Sequence, residues 1–108
     1  MSDCIFCKIA SGEIEKEFVY ETDEVMVFPD IHPSAPTHLL IIPKVHVKEF
    51  VAVEDEALLS SLMKVVREMV FKFGLEEKGY RIAINGGGAQ EVHHLHIHLK
   101  GPIAQPSN

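Results

Sequence analysis

The sequence predicts an α+β domain, an antiparallel sheet of about five strands covered on one face by one long helix and preceded by a short N-terminal helix. Three observations lead there. From Asp55 to Phe73 the apolar residues Leu59, Leu62, Val66, Met69, Val70 and Phe73 recur at helical spacing, leaving Lys64, Arg67 and Lys72 for the wet side. Phe18 to Tyr20 and Val25 to Phe28 are β-prone runs joined by the polar turn Glu21-Thr22-Asp23-Glu24, which reads as a hairpin. In the stretch from Gln90 to Lys100, a strand would turn His94, His96 and His98 to one face and Leu95, Ile97 and Leu99 to the other.

The elements follow in order. Cys4 to Ala10 suits a helical turn stopped at Ser11-Gly12, with Phe6 and Ile9 sharing a face. The hairpin ends at Pro29, and the segment through Pro36, which also contains Pro33, is expected to leave the sheet because proline lacks a ladder donor. Thr37 to Ile42 resumes a buried strand, Pro43 stops it, and His46 lies in the connection that follows. Glu54, Asp55 and Glu56 suit the start of the long helix and Gly74 its end. Its Leu and Met stripe reads as core. Tyr80 to Ile84 is the next strand, and Asn85 to Gln90 delivers the chain into the histidine strand. After it, Gly101-Pro102 and Gln105 to Asn108 look like an irregular tail.

At 108 residues the chain reads as one domain, residues 1–108, with one core and little area to spare, so burial through a dimer would help it. A formal charge of −6 disfavours a polynucleotide or an anionic membrane as partner, while a local cluster could still hold one phosphate. No leader opens the chain and no apolar run approaches the ~20 residues of a bilayer span, so a soluble, cytoplasmic protein is expected. Cys4 and Cys7, two residues apart, suggest metal or redox chemistry in such a chain, and read equally as small core residues on one helical face.

Three imidazoles on one face compete for the same protons, and burying them without a ligand is costly. Histidines at i and i+2 on a strand can share a metal, which is the first chemical reading. The second comes from the neighbouring loop: Gly86 to Gly88, flanked by Asn85 and Gln90, lets backbone amides approach an anion. A plain hairpin connection accounts for the same glycines. His93 faces away from the row and reads as structural, and His32, in the proline-rich loop, as exposed.

His94-Leu95-His96-Ile97-His98-Leu99, preceded by Gln90-Glu91-Val92, resembles the histidine-triad motif of the HIT superfamily. Phe6 to Ala10, Phe28-Pro29-Asp30-Ile31, and the run Pro36-Thr37-His38 through Pro43-Lys44-Val45-His46 stand in the order and spacing of its Hint branch, so the resemblance covers nearly the whole chain. It implies the HIT-like fold, with the sheet extended across a homodimer. It also implies a hydrolase that binds purine mononucleotides and cleaves nucleoside phosphoramidates or related adenylates, AMP conjugates, through a covalent nucleotidyl-histidine. Carried over by motif, His96 is the nucleophile, His98 holds the phosphate oxygens, and His94 orients His96 within a relay that includes His38. Asp30 would take the ribose hydroxyls with Ile31 beside it, while Phe6, Ile9, Phe28 and Leu40 sandwich the base. Asn85, Ala89, Gln90 and Glu91 match the stretch that contacts phosphate and leaving group. No cofactor is required for that chemistry.

Some bacterial relatives hold a structural zinc, and their ligand positions correspond to Cys4, Cys7, His46 and His94. Three departures from the family pattern stand out. Glu91 takes the place of a serine that contacts the leaving group; protonated it could donate to a departing amine, ionised it would repel phosphate. The loop from Asn85 to His94 is about two residues shorter than the pattern. Lys100-Gly101-Pro102 replaces a frequent Gly-Gly-Arg, and the tail has no tryptophan. The competing class is a non-catalytic module in which nucleotide or zinc merely stabilises a dimer used for protein contacts.

Overall fold

A computed structural model describes residues 3–106. It contains α1 (Ile5–Ser11), β1 (Tyr20–Glu21), β2 (Val25–Pro29), β3 (Thr37–Pro43), a 3-10 turn at Phe50–Ala52, α2 (Glu56–Lys72), β4 (Arg81–Ile84) and β5 (Ile97–Gly101). The five strands form one sheet in the order β1-β2-β3-β5-β4, every neighbouring pair antiparallel. The expected α+β architecture is the one observed.

Strand alternation sorts the apolar residues into two layers. Val25, Val27, Leu39, Ile41, Ile97 and Leu99 face α2, which meets them with Leu62, Val66 and Met69 among others. Met26, Phe28, Leu40 and Ile42 face the other way and pack with Phe6 and Ile9 of α1. Because α1 has only seven residues, it covers part of that second face and leaves the rest open. The open part is where the histidines look out.

Local chemistry fixes the ends of both helices. The Asp55 carboxylate accepts from the Ala57 N–H at 2.9 Å and caps α2. Cys4 Sγ accepts from the Cys7 N–H at 3.4 Å and caps α1, which stops at Gly12 in the left-handed conformation, φ 86°.

Four expectations need correction. The sheet does not stop before Pro29: that residue pairs with Leu39, and Asp30 N–H still donates to the His38 carbonyl. A proline is tolerated at a strand end, where it forfeits a single donor. The buried stripe of α2 begins at Leu58 rather than Leu59 and includes Val65. Only His98 of the histidine row lies in a strand: β5 starts at Ile97, and the alternation through His94 is held by Leu95 N–H donating to Val47 O at 2.7 Å. His93 is exposed rather than structural. No helix among the described residues is long and apolar enough to cross a membrane.

Candidate active site

A cavity of about 650 Å³ opens on the face that α1 leaves uncovered. Its apolar wall includes Phe6, Ile9, Phe28 and Leu40, and its polar wall includes Asp30, His38, His96 and His98. Asn85, Ala89 and Glu91 contribute from the glycine loop, and Ile31, 73% exposed, stands at the rim. Of the residues nominated for catalysis and nucleotide binding, all but His94 and Gln90 line this one space.

The hydrogen bonds assign the imidazole protons. His96 Nδ1 lies 2.8 Å from the carbonyl oxygen of His94. A carbonyl only accepts, so Nδ1 carries the proton and the Nε2 lone pair is free. His96 is 7% exposed and lines the cavity, with Phe6 edge-on to its ring at a centroid distance of 5.3 Å. A neutral imidazole with a free Nε2 can act as a nucleophile or a base.

A second chain of bonds runs through the neighbouring rings. Ser34 N–H donates to His38 Nδ1 at 3.1 Å, which leaves the proton of His38 on Nε2. That Nε2–H donates to His98 Nδ1 at 2.9 Å, so His98 keeps its own proton on Nε2. The relay thus ends in an N–H donor, a group suited to an anionic oxygen. Asp30 Oδ2 stands 3.4 Å from His38 Nε2 and 3.9 Å from His98 Nδ1, while its Oδ1 accepts from His32 N–H at 2.8 Å. Burial, reinforced by His96 and His38, pushes His98 down to about 4. Burial also lowers His38, against the opposing pull of Asp30.

His94 belongs elsewhere. Fully buried, it donates Nε2–H to the Pro43 carbonyl at 2.8 Å, so its Nδ1 lone pair points at Cys4 Sγ (3.2 Å), Cys7 Sγ (3.6 Å) and His46 Nδ1 (3.2 Å). Cys7 Sγ lies 3.3 Å from His46 Nδ1, and the four ligand atoms all fall within 4.8 Å of one another. A tetrahedral zinc with bonds of about 2.0–2.3 Å separates its nitrogen and sulfur ligands by roughly 3.3–3.8 Å, close to this spacing. The carbonyl behind His94 also matches the outer partner that metal-bound histidines usually have. The cluster fits a zinc ion.

Asp30, His38 and His98 form another group of three possible ligands. Here the donor set does not fit. Ser34 N–H occupies the His38 Nδ1 lone pair, so the proton of that ring stands on the nitrogen that a metal would need. The first reading, one metal shared by the histidine row, fails for a related reason: the three rings have different partners and converge on no common point. The relay between His94 and His38 is likewise replaced by His38 to His98. His94 orients His96 through its backbone carbonyl, not its ring.

Gln90 is, after His94, the second nominated residue to lie outside the cavity. It is 6% exposed, and its Nε2 donates to Lys48 O at 2.7 Å. Glu49 Oε1 accepts from Gly87 N–H at 2.7 Å, so two bonds latch the glycine loop to the segment after His46. The glycines also serve the turn itself: Gly87 and Gly88 have φ of 63° and 91°, in the left-handed region. Residues that the sequence did not point to include Ser34, Glu49 and the cavity-lining Lys16, and Lys100, noted there only as a departure from the family pattern, also lines the cavity. Only a register could have placed Lys100, opposite His38.

The model of the HIT domain matches residues 11–102. Protein HitA of Neisseria gonorrhoeae is 49% identical over 105 residues, covering 94% of this chain and 97% of that one. The purine nucleoside phosphoramidase of Escherichia coli K12 is 41% identical over 103 residues, covering 92% and 87%. The crystal structure of a HIT family hydrolase from Legionella pneumophila Philadelphia 1 superposes with a TM-score of 0.86 at 44% identity, covering 94% and 95%.

Proposed function

The chain belongs to the HIT family, and from that premise we propose that it is a purine nucleotide hydrolase that cleaves nucleoside 5′-phosphoramidates or related adenylates through a nucleotidyl-histidine. The observation that carries the reading is the bond from His96 Nδ1–H to the His94 carbonyl, which leaves the Nε2 lone pair unprotonated on a ring that lines the cavity. The name of the E. coli relative supports the substrate class.

In this reading His96 Nε2 attacks the α-phosphorus, a P–N bond to the imidazole forms, and the bond from phosphorus to the leaving nitrogen breaks. The leaving amine departs after taking a proton from solvent on the Glu91 side of the cavity, and the water of the second step returns that proton to solvent. Water then attacks the same phosphorus, the P–N bond to His96 breaks, and the nucleoside monophosphate is released with His96 neutral again. His98 Nε2–H donates to a phosphate oxygen as charge builds there, and His38, oriented by Ser34, holds His98 in the donating tautomer. Asp30 accepts from the ribose hydroxyls, Ile31 closes the rim, and Phe6, Ile9, Phe28 and Leu40 bury the base. Asn85 and Ala89 approach the phosphate from the glycine loop.

Zinc, held by Cys4, Cys7, His46 and His94, would supply folding energy at the junction of α1, the His46 segment and the start of the histidine row. It takes no part in the reaction. The fully buried His94 would then serve two ends, its ring toward the metal and its carbonyl toward His96.

A homodimer through the β4 edge completes the proposal. The opposite edge, β1, has two residues, whereas β4 has four and leaves Ile82 43% exposed. Action in the cytoplasm agrees with two thiols kept as metal ligands. Acid-quenching the protein with a phosphoramidate and weighing it tests the chemistry. A nucleotidyl adduct lost in His96→Ala supports it, and turnover unaffected by that change overturns it.

A further inference from the structure

Lys16 lies on the linker between α1 and β1, half-buried, with its Nζ 5.0 Å from the centroid of the Phe28 ring. That ring belongs to the apolar end of the cavity: Phe6 meets it edge-on at 6.1 Å, and Phe18 stacks on it at 6.1 Å with 20° between planes. Lys16 lines the same cavity. Its sequence neighbours Glu15 and Glu17 are exposed, and the ion pairs among the described residues are made by other cations. An ammonium that answers no carboxylate therefore stands over an aromatic surface where a base would bind.

We propose that Lys16 reads the edge of the base and makes the cavity select 6-oxopurine nucleotides, those of guanine and hypoxanthine, over adenine nucleotides. This rests on the nucleotide-binding reading above and names its substrate class.

An ammonium has three donors and no acceptor. Guanine presents O6 and N7 side by side as acceptors, the edge to which Lys and Arg most often bind, whereas adenine pairs its N7 with a donating amino group. A base that settles against Phe28 moves the ammonium off the ring face to the base edge, a shift its four-carbon stem permits. A 6-oxopurine replaces the lost cation–π contact with a charge-assisted hydrogen bond. Adenine leaves the ammonium, already partly desolvated, against an amino group that cannot accept. Phe6, Ile9 and Leu40 offer any base the same apolar contact, so Lys16 is the discriminating group at that end.

The test compares kcat/KM for guanosine, inosine and adenosine 5′-phosphoramidates, and the Kd values of GMP and AMP, in the wild type, Lys16→Met and Lys16→Glu. Guanosine and inosine are expected to exceed adenosine by about tenfold, the low end for a bidentate base contact because the site is half open. The ratio should fall to near one in Lys16→Met and below one in Lys16→Glu, whose carboxylate accepts from the adenine amino group. A wild-type ratio of one, an unchanged ratio in Lys16→Met, or inosine behaving like adenosine overturns the proposal. If no phosphoramidate is cleaved but GMP outbinds AMP in a Lys16-dependent way, the hydrolase reading fails and base selection stands. Cleavage without a base preference gives the converse.

Discussion

The Nδ1–H of His96 is held 2.8 Å from the backbone carbonyl of His94, two residues earlier on the same face. This bond links the two halves of the site. It fixes the ring that faces the cavity by means of the residue whose own ring faces the two cysteines. His94 can therefore keep its side chain for the cluster with Cys4, Cys7 and His46 while its main chain sets the tautomer of His96.

Removing the His96 imidazole is expected to lower kcat/KM for a nucleoside phosphoramidate by roughly a thousandfold or more, since the proposed mechanism loses its bond-forming atom. In His96→Ala, calorimetry with GMP or AMP should still give binding close to wild type, because Phe6, Phe28 and Asp30 remain. A loss of less than about tenfold in the purified variant would contradict the assignment.

Changing His38 tests the relay. His38→Ala removes the donor to His98 Nδ1 and frees His98 to take the other tautomer, so kcat should fall about tenfold to a hundredfold with a smaller change in KM. His38→Gln, whose amide N–H can reach toward the same nitrogen, should recover part of the loss. Equal rates for the two variants would argue that position 38 acts only through packing.

The pH dependence of stability follows from the buried imidazoles. Burial holds His98 at about 4 in the folded protein, and it lowers His38 and His94 as well. An unfolded histidine titrates near about 6.5, so between these values the unfolded chain binds protons that the folded chain refuses. The contribution to stability is complete above about 6.5 and is lost as pH falls toward about 4. Urea midpoints between pH 7 and pH 4.5 should decrease steadily. An NMR titration in which free His98 protonates near 6.5 would remove the basis for this trend.

The proposed zinc site at Cys4, Cys7, His46 and His94 predicts about one zinc per chain by elemental analysis, and thiolate-to-metal absorption bands when cobalt is substituted. Cys7→Ser or a strong chelator should lower Tm by about 10 °C or more, the equivalent of a couple of kcal/mol in a domain of this size. Nucleotide cleavage below the new Tm should survive, because no step passes through the metal. A protein purified without metal, and with unchanged Tm in Cys7→Ser, would reject the site.

The β4 edge predicts a mass in solution twice that of the chain. Ile82→Lys puts a charge on the edge face and should shift sedimentation toward the monomer, whereas the same change at the exposed Val51 should not. A wild-type protein that sediments as a monomer at micromolar concentration would end the dimer proposal.

Periodicity and composition alone determined the fold class, because one face of each strand and one stripe of the long helix had to be apolar to bury anything. The alternation from His94 to Leu99 correctly put three imidazoles opposite three core residues. The cluster of Cys4, Cys7, His46 and His94 was legible by resemblance to a ligand set. The sequence could not show that the histidines have three different partners. Proton positions depend on the carbonyls of His94 and Pro43 and the amide of Ser34, and these meet the rings only when β3 and the row are brought side by side. Nor could it show that Gln90 turns inward to Lys48, or that Lys16, between two glutamates on a polar linker, reaches the ring of Phe28. Both depend on contacts between segments distant in sequence. Residue type dictated what each group could donate or accept, and the tertiary structure decided to which partner.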